Sequence, residues 1–201
     1  MPHKSLIFAL ATALLLAPVA ARADSDLAAY DAARQALLVI WAGMPLTIRN
    51  ATLTEREPAG YGDYAARDGN SYAPGDTIHV YAEVLGYGWR DNGDGTVSKL
   101  LDADLSLLNA NGDVVASKQK FLSTDARSRQ KLMESDLAFN ITLSAFAPGD
   151  YKLRFAVHDR AGNKDASFDL PVTLVAGPAS SAPPDAASAP SSEASSSSAA
   201  D

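Results

Sequence analysis

Two histidines outside the polar start of the chain, His79 and His158, and no cysteine confine metal and acid–base chemistry to very few places. Without cysteine there is no disulfide, no lipoprotein anchor, no thiolate nucleophile and no zinc–thiolate site. His79 and Glu83 fall on one face of a predicted strand but about 13 Å apart, so one ion does not bind both. In a sandwich that puts the strands of His79 and His158 in opposite sheets, the two imidazoles face opposite surfaces and share no site. The stretch Arg90-Asp91-Asn92-Gly93-Asp94-Gly95 imitates a calcium loop, yet that alignment puts Arg90 at position one and Leu101 at position twelve, where carboxylates are required. The chain has no Gly-x-Ser-x-Gly, no His-Glu-x-x-His and no glycine-rich phosphate loop. Asp102 and Asp104, two residues apart on the wet side of one strand, read as surface charge. No catalytic residue, metal ligand or cofactor is therefore assigned.

Binding chemistry has better candidates. Six of the nine Tyr and Trp residues lie between positions 61 and 89: Tyr61, Tyr64, Tyr72, Tyr81, Tyr87 and Trp89. The first three belong to a long glycine-bearing loop, and Tyr87 with Trp89 ends a strand. Ring faces flanked by polar residues suit sugar rings or peptides, which makes Tyr61, Tyr64, Tyr72, Tyr87 and Trp89 the candidate ligand-binding set. The alternative is that they cap the open end of a sandwich. Arg127, Arg129 and Lys131 form a basic patch before Met133, suited to an acidic polysaccharide or a lipid head group, or else a solvated crossover. The net charge of −7 argues against a nucleic-acid partner.

These residues need elements to hold them. Residues 1–23, with His3 and Lys4, an apolar run over 6–20 and Ala21-Arg22-Ala23, have the pattern of a secretory signal peptide, so the protein is expected in the periplasm or secreted, with no membrane span after cleavage. Residues 176–201 hold nine Ser, nine Ala and four Pro with no large apolar side chain, the composition of a disordered tail. Helical spacing of Leu27, Tyr30, Ala33, Leu37, Leu38 and Trp41 predicts an N-terminal helix over 24–43, capped by Ser25 or Asp26, ended by Gly43 and Pro45, and docked on the domain through that stripe.

The period then changes to two. Strands are predicted over 46–55, 77–87, 97–108, 114–121, 136–144, 151–159 and 165–174, an all-β domain spanning 44–175. Ile78, Val80, Ala82 and Val84 form one core face, leaving His79, Tyr81, Glu83 and Leu85 outside. Asn111-Gly112 predicts a two-residue hairpin with both positions at positive φ, and residues 160–163 predict a second hairpin. Ala-Pro-Gly-Asp, at 73–76 and 147–150, predicts a type II turn before a strand at each copy. Pro148-Gly149-Asp150-Tyr151 also has the form of a tyrosine corner, and this, with seven strands, predicts an antiparallel Ig-like β-sandwich; a jelly roll or small barrel has the same periodicity.

Ala73-Pro74-Gly75-Asp76, Val80 to Val84, Gly86-Tyr87-Gly88-Trp89, Pro148 to Tyr151, His158-Asp159, Lys164 and Phe168 to Pro171 resemble an uncharacterised family of secreted or periplasmic proteobacterial Ig-like proteins, over roughly residues 45–175. The resemblance implies fold and compartment and no activity. The expected function is a noncatalytic extracytoplasmic module that binds a protein or envelope polysaccharide through loops at one end of the sandwich. The alternatives are an accessory subunit that docks through the N-terminal helix, and an enzyme of unknown class.

Overall fold

The computed structural model describes residues 19–176, so most of the expected signal peptide and nearly all of the Ser/Ala/Pro-rich tail lie outside the described residues. One helix, α1 (Val19–Gly43), precedes nine strands: β1 (Thr47–Thr54), β2 (Ser71–Tyr72), β3 (Thr77–Leu85), β4 (Arg90–Asp91), β5 (Val97–Asn109), β6 (Val114–Ser128), β7 (Asp136–Thr142), β8 (Gly149–Asp159) and β9 (Lys164–Leu174). The seven longer strands fall where the period of two predicts them, except that β6 runs on to Ser128, past its predicted end at 121. β2 and β4 are two-residue additions too short to carry a pattern.

The strands form two sheets. One has the order β1-β3-β7, and the other β2-β9-β8-β5-β4 with β6 also paired to β5. The protein is thus mostly β, with one N-terminal helix and a two-sheet sandwich. Alternation drives this arrangement: Ile78, Val80, Ala82 and Val84 of β3 meet Leu153, Phe155 and Val157 of β8 in one core, all fully buried. The Phe139 and Phe155 rings, 4.5 Å apart, join the two sheets at its centre.

α1 departs from expectation. It is already helical at Val19, the first described residue and upstream of the predicted caps, and its stripe does not dock along its length: Leu27, Tyr30 and Leu37 are exposed, as are Val39 and Ile40. Among the helix residues whose side chains are described, only Trp41, in the last turn, is buried. Apolar residues surround the helix instead of forming one face, so a single flank of the sandwich does not cover them.

The turns also differ in detail. The β5–β6 connection has positive φ at Gly112 alone, because Asn109 Oδ1 accepts from the N–H groups of Asn111 and Asp113 and stretches the turn beyond two residues. At the first Ala-Pro-Gly-Asp, Gly75 has φ +91° and Asp76 N–H donates to Ala73 O, as a type II turn requires. The second copy runs straight into β8, where Gly149 pairs with Leu174. There Tyr151 Oη donates to Ala147 O at 2.9 Å, the bond expected of a tyrosine corner. His79 and His158 lie on strands of different sheets, as expected.

Candidate functional site

The helix reaches the sandwich at the pole where β3, β5 and β9 meet their loops. Gly86 there has φ +76°, and a side chain would strike Pro45 O at 2.2 Å. Lys164 Nζ donates to Met44 O and Gly86 O, each at 2.7 Å, and more weakly to Ala42 O in the last turn of α1, at 3.4 Å. Trp41 Nε1–H donates to Tyr87 O at 2.7 Å. Its ring stacks on Trp89 at 5.7 Å and meets Tyr87 edge-on at 5.2 Å. Tyr87 Oη in turn donates to Leu132 O, tying down the crossover from β6 to β7, and burial pushes its pKa up.

Two predicted groups converge here. Lys131 Nζ lies 5.7 Å above the Trp89 ring, a cation–π approach, and Lys131 O accepts from Arg34 of α1. Arg127, on β6 and not in the connection, donates to Thr96 Oγ1 and pairs with Asp94, whose pKa is lowered first by its bond from Thr96 and then by Arg127. Arg129 is exposed nearby. Between them opens a cavity of about 60 Å³ lined by Tyr87, Trp89, Lys99, Arg127, Leu132 and Glu134. A second, of about 310 Å³, lies between α1 and the crossover, against Tyr30, Arg34, Lys131 and Met133.

Lys99 is the residue that the expected set omits. It shares the inward phase of Leu101, Ala103, Leu105 and Leu107, so its stem points between the sheets and Nζ reaches Ser135 Oγ at the start of β7. Nζ also lies 5.6 Å from the Tyr87 ring centre, and desolvation lowers its pKa. A lysine two residues before an alternating apolar series is the sequence signal that could have found it.

The remaining candidates lie elsewhere, so the aromatic set does not occupy one end of the sandwich. Loop 55–66 folds back over the outer face of the three-stranded sheet and buries Tyr81 and Glu83, both expected to be outside. Tyr64 stacks on Tyr81 at 4.0 Å, and Tyr81 Oη accepts from Gly62 N–H and donates to Glu83. Burial pushes the Tyr81 pKa up to about 12. Burial alone would raise the Glu83 pKa, but hydrogen bonds from Asn50, Arg49 and Tyr81 outweigh it and hold it low. Arg49 reaches Tyr61 Oη as well, at 2.8 Å. Tyr72 is buried at the opposite pole beneath the Arg67 guanidinium, 4.7 Å from its ring centre.

Asp102 is also more than surface charge. It is 4% exposed, accepts from Ser123 and pairs with Arg160 at 3.1 Å. Among the described residues, no group of three His, Asp or Glu side chains is placed to hold a metal ion, and no helix is long and apolar enough to cross a membrane.

No family model matches the chain, and no curated protein matches it. Solved structures give remote fold likeness. One is a family 123 glycoside hydrolase from Clostridium perfringens, studied for glycolipid glycan hydrolysis (TM-score 0.36, 14% identity, covering 65% of this chain and 27% of that one). The chain thus spans about a quarter of that enzyme's length. Another is the CARDB domain of a Pyrococcus furiosus protein in complex with di-metal ions (TM-score 0.32, 15% identity, covering 66% and 96%). Likeness at this level carries no functional argument.

Proposed function

We propose that the protein is a noncatalytic, extracytoplasmic Ig-like module that binds an acidic envelope polysaccharide at the helix pole. The observation that carries this reading is Lys131 over the Trp89 ring beside an open cavity that reaches Lys99. A partly exposed aromatic side chain next to cations suits a sugar ring that bears negative charge. The Ig-like assignment is supported by the strand order β1-β3-β7 against β6-β5-β8-β9 and by the Tyr151 corner. The extracytoplasmic assignment rests on the pattern of residues 1–23 and on the family resemblance. Calorimetry of the purified protein with acidic and neutral polysaccharides tests the reading: binding of the acidic polymer, lost in Trp89→Ala and weakened in Lys131→Ala, is expected. Equal or absent binding of both polymers would sink it.

A second reading, an accessory subunit docking through α1, is favoured by the exposure of Tyr30 (63%), Val39 (75%) and Ile40 (63%). Val39→Asp with Ile40→Asp separates the two: it abolishes partner assembly in the second reading and leaves polysaccharide binding intact in the first.

A further inference from the structure

Lys99, which is half-buried, differs from the fully buried charges of the molecule. Glu83 has Arg49 and Tyr81, Asp102 has Arg160 and Ser123, and Asp159 accepts from Gly88 N–H and Ala161 N–H. Lys99 has one hydroxyl, Ser135 Oγ, and the face of Tyr87. Asp136 acts on it only through space, and no carboxylate among the described residues makes an ion pair with it. An ammonium taken out of water without a counter-charge is costly, and an incoming anion offsets that cost.

The cavity, about 60 Å³ and open to solvent, has Lys99, Arg127 and Glu134 in its wall and admits a small charged group such as a carboxylate. Arg127 adds a second cation to the wall, already paired with Asp94, and Glu134 adds one negative charge. Trp89 belongs to the same wall and carries Lys131 above its ring.

We propose that this cavity is a carboxylate pocket for uronic acid residues: the sugar carboxylate enters and pairs with Lys99 Nζ while the ring stays outside against Trp89. The proposal rests on the polysaccharide reading above and names the acid group that would be recognised.

The test uses the purified full chain, an oligoglucuronate, and the same oligosaccharide with its carboxyls reduced. The acidic form should bind at least about tenfold tighter than the reduced form, as expected for one charge-assisted contact. Lys99→Met, which keeps the length of the stem, should erase that preference. If Lys99→Met retains the preference, the pocket is wrong and the polysaccharide reading survives. If the wild-type protein binds neither form, both fall. Should Lys99→Met fail to fold, NMR of the Lys99 side chain in wild-type protein decides: its resonances should shift on titration with oligoglucuronate, and no shift overturns the pocket.

Discussion

Gly88 N–H donates a 2.7 Å hydrogen bond to Oδ2 of Asp159, a carboxylate that is only 2% exposed, and so joins the connection after β3 to the end of β8. The approach leaves no room for a side chain, because a Cβ on Gly88 would come within 2.7 Å of the Gly162 backbone. Gly88→Ala should cost about 1–3 kcal/mol or more through overpacking. Gly43→Ala, with nothing within 4 Å of its Cβ, should stay within about 0.5 kcal/mol of wild type. Urea midpoints of the two variants give the comparison.

Trp41 is the buried anchor of α1. Trp41→Ala should release the helix while the sandwich stays folded, since an isolated helix is marginal in water. Hydrogen exchange is the measurement. Amides of residues 27–40 should lose protection in the variant, whereas those of β3, β5 and β8 keep theirs.

Tyr151 separates a hydrogen bond from ring packing. Tyr151→Phe removes the bond to Ala147 O and should cost about 1 kcal/mol. Tyr151→Ala also removes the ring from its edge-on contact with Phe146 and should cost about 2–4 kcal/mol, discounted for partial exposure. Equal midpoints for the two variants would show that the ring contributes nothing.

His158 lies between two carboxylates, Asp165 at 2.6 Å and Asp104 at 3.4 Å. Its pKa is raised above 6.5, first by the Asp165 bond and then by Asp104. The folded state therefore holds a proton that the unfolded state has released, and the stability this confers is full below about pH 6.5 and lost as pH rises through the folded-state pKa. Wild-type stability should fall with pH across that window. His158→Gln should remove this component of the slope, as read by denaturation at a series of pH values.

The long strands were legible where they alternate on their own, most clearly β3, β7 and β8. The Tyr151 corner was legible because Pro-Gly followed by Tyr specifies one local geometry. What could not be read depends on partners distant in sequence. Tyr81 and Glu83 alternate as outward residues and are nevertheless buried, since nothing local announces that loop 55–66 folds back over them. The last part of β6, over residues 122–128, lacks alternation and exists through its ladder with β5. At the pole, Trp89 and Lys131 are 42 positions apart in the chain, and only the crossover after β6 brings them together. Lys99 was not singled out because its partners, Ser135 and Tyr87, lie on distant segments of the chain.

The attachment of α1 at one pole has a mechanical consequence. β1 starts beside the helix, with Thr47 opposite Leu85, whereas β9 finishes at the far pole, with Leu174 opposite Gly149. Tension applied between α1 and the end of β9 runs along the strand axes. It loads the ladders of both sheets in shear, so many hydrogen bonds must yield together instead of parting one at a time. A sandwich held in this way transmits force from one end to the other as a stiff link.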